Sequence, residues 1–112
     1  MPPDDKARVG HMIEMAEAAM EMTAGRTADD VDNDVTLRLA LTRALEVLGE
    51  AASRLSADTR AMAPEVPWPR IIGMRNRLVH AYFDIDPDIL WTTATVSAPE
   101  MLPRLRALLD RV

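Results

Sequence analysis

A chain of 112 residues, 48% of them apolar, can build one modest core, and four glycines and a single phenylalanine argue against an all-β sandwich. With no cysteine, disulfides and thiolate metal sites are excluded. The net charge of -5 argues against general nucleic-acid binding, which depends on basic surface meeting phosphate.

The N-terminus, Met1-Pro2-Pro3-Asp4-Asp5-Lys6, lacks the basic and apolar regions of a signal peptide, and no apolar run approaches the roughly 20 residues of a membrane span. The expectation is a soluble, cytoplasmic protein without membrane contact. The first helix is predicted from about Asp4 to Ala24, with Val9, Met12, Ile13, Ala16, Ala19, Met20 and Thr23 on one face and Gly25 as its stop. The acidic stretch from Arg26 to Asn33 reads as an exposed, mobile loop. A second helix follows from about Asp34 to Leu55. Leu37, Leu41, Ala44, Leu48, Ala51 and Leu55 form its stripe, which Val35, Leu39, Leu45 and Ala52 widen toward more than one neighbour.

Ser56-Ala57-Asp58 can cap a short turn through Met62, after which Pro64, Pro67 and Pro69 forbid a continuous helix. A third helix is predicted from about Pro67 to Tyr82. Asp86-Pro87-Asp88 starts a fourth, carrying Ile89, Leu90, Trp91 and Val96. Pro99 should interrupt it, and Ser97-Ala98-Pro99-Glu100 reads as a capping box that restarts a helix through Leu109, kinked at Pro103. The expected fold is all-α, a four- to five-helix antiparallel bundle forming a single domain over residues 1–112, with apolar surface left over for self-association.

The chemistry concentrates in Arg75-Asn76-Arg77-Leu78-Val79-His80-Ala81-Tyr82. Between Pro67 and Phe83 there are three arginines (Arg70, Arg75 and Arg77) and no acid, the most plausible phosphate footprint before the C-terminal end. At about 100° per residue, Arg75 falls on the apolar side with Ile71, Met74 and Leu78, where a guanidinium needs a partner or a cavity. His80 lies about 140° round from Arg75, so one straight helix cannot aim both at one spot. Either the helix loosens near His80, or two copies pool their residues across a two-fold axis. The second route also explains how so small a chain makes a site. Histidine shuttles protons near neutral pH, arginine grips phosphate in two places, and Asn and Tyr can orient a phosphate or ribose hydroxyl. This set suits metal-independent RNA cleavage by a 2′-OH. A structural reading competes with it: Arg75 paired to an acid on another helix, His80 on the surface, Tyr82 closing the core.

The spacing Arg75, four residues, His80, one residue, Tyr82 resembles the R-x4-H-x-Y motif of the HepT family within the HEPN superfamily. Pro67-Trp68, Ile71, Gly73, Arg75-Asn76, Leu78-Val79-His80 and Tyr82-Phe83-Asp84-Ile85-Asp86 are similar to that family's pattern, as are Leu48-Gly49-Glu50-Ala51-Ala52, Leu90-Trp91 and Leu102-Pro103. The resemblance covers nearly the whole chain. It implies a HEPN-type helical bundle that dimerises, with both motifs in one interface cleft, acting as a ribonuclease toxin. Its implied partner is a minimal nucleotidyltransferase antitoxin, which transfers AMP to the motif tyrosine, here Tyr82. On this resemblance Arg75 would bind phosphate and stabilise the transition state, and His80 would be the general acid/base. Asn76 and Arg77 would contact phosphate, and the RNA substrate could be a tRNA or an mRNA. No cofactor and no metal are expected. Glu50 has two expected roles, a partner for a motif residue such as Arg75 or an exposed helix acid. Trp68 and Trp91 read as core or interface anchors, and His11 as structural or exposed. The acidic charge keeps a second function open, a non-catalytic module that engages the nucleotidyltransferase or a nucleotide.

Overall fold

The computed structural model describes the backbone of residues 3–80 and 85–112, with side chains from Asp4 to Val79 and from Ile85 onward. These residues form α1 (Pro3–Thr23), α2 (Ala28–Asn33), α3 (Val35–Arg54), α4 (Ala57–Ala61), α5 (Trp68–His80), α6 (Pro87–Thr92) and α7 (Ala98–Arg111), with a π-helical turn over Thr93–Ser97 joining the last two. No strand occurs among them. The fold is all-α, as composition and periodicity predict.

α1 buries the predicted stripe, with Val9, Met12, Ala16 and Ala19 fully enclosed. It ends where Thr23 Oγ1 donates to the Ala19 carbonyl at 2.9 Å and Gly25 takes the left-handed conformation, φ 72°. α1 packs on α3 and α7, and α5 packs on α3. Two apolar clusters result. One joins Met12, Leu48, Trp68, Ile71, Met101 and Leu105. The other joins Val31, Leu41, Leu45, Met74, Leu78 and Leu90. Trp68 is the core anchor expected, its Nε1 donating to the carbonyls of Arg60 and Ala63 at 3.1 and 3.0 Å, whereas Trp91 is only partly buried.

Asp5 ties the start of α1 to the start of α4. Its carboxylate has no solvent exposure and accepts from Thr59 Oγ1 at 2.6 Å, Ser56 Oγ at 2.8 Å and the Ser56 N–H at 3.2 Å. Arg8 approaches its other oxygen at 3.4 Å. Ser56 caps α4 as predicted, accepting from the Thr59 N–H at 3.2 Å.

Three expectations are corrected. The acidic stretch read as a mobile loop contains α2. The Asp30 carboxylate accepts from the Thr27 N–H at 2.9 Å, and Val31 is fully buried in the second cluster, so one apolar anchor and one cap fold the segment. Val35 and Leu39, predicted to widen the buried stripe of α3, are instead 56% and 63% exposed. Pro99 does not interrupt the last helices, and Ser97 makes no capping hydrogen bond. The chain stays helical because Pro99 falls in the first turn of α7 and the preceding turn widens, the Ala98 N–H reaching back to the Thr93 carbonyl. Pro103 lies on the exposed side of α7 without ending it.

Among the described residues, no helix is long and apolar enough to cross a membrane.

Candidate functional site

α5 begins with Trp68 and Pro69 in its first turn and buries Ile71, Met74 and Leu78. Arg75 shares that side of the helix but leans toward α3, and what admits it there is Gly49. A side chain on Gly49 would run into Arg75, its Cβ lying 2.9 Å from Arg75 Cγ and 3.3 Å from the Ile71 carbonyl oxygen. The two helices therefore touch through a bare backbone at the level of Arg75.

The Arg75 guanidinium is held on two sides. Nη2 pairs with Glu50 Oε2, and Nη1 donates to Asn76 Oδ1 at 3.0 Å. The other Glu50 oxygen accepts from Arg54 Nε at 2.7 Å. The Arg54 hydrogen bond, assisted by the charge of Arg75, holds the Glu50 carboxyl below its ordinary value despite partial burial. Of the two roles open to Glu50, partner of Arg75 is the one observed. The Arg75 side chain remains 29% exposed, so the guanidinium is oriented without being sealed off. Arg75, Asn76 and Glu50 thus form one polar cluster on the α3–α5 face.

Asn76 and Arg77 are exposed on α5, and Arg77 forms no ion pair with another described residue. α5 remains α-helical up to His80, so among the described residues it does not loosen to turn Arg75 toward that position. The side chain of His80 and the whole of Tyr82, with its AMP-acceptor role, lie outside the described residues.

The same face carries apolar surface. Helical geometry places Val35, Leu39, Glu46 and Glu50 of α3 within about 60° of one another. The two exposed apolar residues therefore lie on the side that leads to Arg75. His11 is exposed on α1, along a groove that it shares with Arg8, Glu50 and Arg54. Sequence reasoning passed over two contributors to the site. Gly49 appeared only as part of a similar segment, and Arg54 gave no signal beyond its i, i+4 spacing from Glu50.

Residues 12–108 match the family model described as "Ribonuclease HepT-like". The chain is 33% identical over 101 residues to a candidate RNase of Caldanaerobacter subterraneus subsp. tengcongensis, covering 90% of each chain. It is 36% identical over 98 residues to a candidate RNase of Methanocaldococcus jannaschii, covering 88% of this chain and 90% of the other. Over 90 residues it is 34% identical to a candidate ribonuclease HepT of Thermococcus cleftensis, covering 80% and 82%. No solved structure matches the chain.

Proposed function

Because the chain belongs to the HepT-like ribonuclease family, we propose that it is the ribonuclease toxin of a toxin–antitoxin pair, cutting RNA without a metal at a site built by two copies. The observation that carries the composite site is the unbroken helicity of α5. Arg75 and His80 diverge by about 140° on such a helix, so convergence needs a second copy. The exposed Val35 and Leu39, on the same side of α3 as Glu50 but about 16–22 Å along its axis, favour that side as the surface that pairs.

In this reading a phosphate displaces or shares the Glu50 contact and takes two donors from Arg75. His80 removes the proton of the 2′-OH, whose oxygen attacks the adjacent phosphorus. Arg75 and Asn76 stabilise the charge that grows on the phosphoryl oxygens. The 5′-oxygen leaves with a proton from a protonated His80, giving a 2′,3′-cyclic phosphate and a 5′-hydroxyl. The antitoxin is a minimal nucleotidyltransferase acting in the same cytoplasm. AMP on Tyr82, two residues after His80 in sequence, adds bulk and a negative phosphodiester that competes with RNA for Arg75.

A second reading is favoured by one observation. Glu50 already neutralises Arg75 in the single chain, and the protein as a whole is acidic. Both suit a module that binds the nucleotidyltransferase without cutting RNA. Expression in cells lacking the antitoxin separates the two. The ribonuclease reading expects growth arrest and RNA fragmentation from the wild type. Arg75→Ala and His80→Ala should lose cleavage by about 100-fold or more, the scale of a lost general acid/base, while remaining folded. Arrest shared by both variants, or no RNA cleavage at all, would leave the binding module.

A further inference from the structure

A cavity of about 530 Å³ opens on α5 away from Arg75, closed on its far side by α6, the π-helical turn and the start of α7. Its floor is apolar, formed by Ile71, Met74, Ile89 and Met101. Arg70 and Arg77 stand on the α5 wall, and neither forms an ion pair with another described residue. Asp88 and the hydroxyls of Thr92 and Ser97 stand on the opposite wall. The volume falls in the range of small-molecule sites, as does the pattern of an apolar floor with a few polar groups converging on it.

Gly73 indicates that the space is built in. It lies in the middle of α5 and lines the cavity, yet a Cβ added there would meet nothing within 4 Å. Close packing does not require this glycine, in contrast to Gly49. Glycine is the poorest helix former after proline, and here the missing side chain keeps the cavity open.

We propose that this cavity binds a nucleobase together with its phosphate. A flat heteroaromatic ring can lie against the Ile89 side chain and the edge of Met74, since thioether sulfur packs favourably on aromatic rings. The hydroxyls and Asp88 offer donors and acceptors to the base edge, and Arg70 and Arg77 receive the phosphate. A bare phosphate would leave the apolar floor unused, and a hydrocarbon chain would leave the guanidiniums and hydroxyls unused. Arg77 is two residues beyond Arg75, about 3 Å along the axis but about 160° round the helix, so a strand held at Arg75 reaches the cavity only by wrapping round α5. The nucleotide unit can belong to that RNA strand or be a free mononucleotide. The RNA form rests on the ribonuclease reading, whereas mononucleotide binding does not.

The test is amide NMR titration of the full chain with 5′-AMP, 5′-GMP, 5′-CMP and 5′-UMP, with ribose 5-phosphate as the baseless control. At least one nucleotide should shift the amides of Gly73, Met74, Thr93 and Ser97 saturably while ribose 5-phosphate does not. Gly73→Leu, which fills the cavity from a position with open space, should weaken that binding by about tenfold or more. Arg77→Gln should weaken it several-fold with the core spectrum unchanged. The proposal is overturned if no nucleotide shifts those amides at millimolar concentration, if ribose 5-phosphate shifts them equally, or if both variants bind like the wild type. Cleavage of a mixed-sequence oligoribonucleotide then identifies the source. A base preference altered by Gly73→Leu assigns the cavity to the RNA strand, and an unaltered preference beside lost mononucleotide binding assigns it to a free nucleotide. A wild type that binds a mononucleotide but cuts no RNA sinks the ribonuclease reading alone.

Discussion

Gly49→Ala is expected to destabilise the protein by about 1–3 kcal/mol and to displace Arg75 in the same step. The new methyl group would overlap the Cβ of Arg75, an atom fixed to the backbone of α5 that cannot swing aside as a side-chain tip could. The Ile71 carbonyl oxygen, at 3.3 Å, blocks a slide along the helix. α3 and α5 must therefore separate. Alanine's better helix propensity, worth about 1 kcal/mol, offsets part of that strain. The Glu50–Arg75 pair sits at this crossing, so the guanidinium loses its orientation when the helices part. Chemical denaturation should show a lower midpoint, and Arg75-dependent RNA cleavage should fall more than the loss of folded protein explains. Unchanged stability together with unchanged cleavage would mean that the crossing has slack and that Gly49 does not position Arg75.

Asp5→Asn should cost about 2–3 kcal/mol at neutral pH, because a buried acceptor of three hydrogen bonds is replaced by a group that must also bury two donors. The effect should depend on pH in a defined direction. Burial pushes the Asp5 carboxyl up, but the hydrogen bonds from Thr59 and Ser56, with help from Arg8, outweigh it and hold the group below the ordinary carboxylate value. A folded-state pKa below the unfolded one contributes stability that is fully present above the unfolded pKa, about 3.9, and is lost as pH falls through the lowered folded value. The stability gap between wild type and Asp5→Asn should therefore be constant near neutrality and shrink in acid below about pH 4. A gap that persists undiminished into acid would show that the ionised form is not what holds α1 to α4.

The long elements were legible because burial enforces periodicity. Val9, Met12, Ala16 and Ala19 recur at helical spacing in α1, and Leu41, Leu48 and Ala52 do so in α3, all of them enclosed by neighbouring helices. The starts of α4 and α6 were legible because Ser56 and Asp86 cap locally, needing nothing beyond their own first turns. α2 was hidden because six residues show no period, and its one buried residue, Val31, sits among four aspartates. Pro99 misled for a related reason. The Ser97–Glu100 spacing is a local signal, whereas helical continuity is kept by the burial of Ala94, Ala98 and Met101 against the rest of the fold.

The candidate site divides in the same way. Arg75, Asn76 and Arg77 were legible because six consecutive positions of one helix carry the pattern from Arg75 to His80. The seat that orients Arg75 was not, because Gly49 and Glu50 lie about 25 positions earlier in the chain and meet it only through the crossing of α3 and α5. The apolar cavity beside α5 was equally hidden. Gly73 reads as an ordinary helix glycine until the space beyond its Cα is seen to be empty.

The central claim, that Arg75 of one copy works with His80 of the other, is tested most directly by mixing two inactive variants. Arg75→Ala and His80→Ala chains, each purified and found inactive alone, are unfolded together, refolded and assayed for RNA cleavage. Random pairing makes half the dimers mixed, and each mixed dimer holds one site with both groups intact, so about a quarter of wild-type activity should return. If the mixture stays as inactive as its components while mixed dimers form, the two residues do not act across an interface and the composite site is wrong.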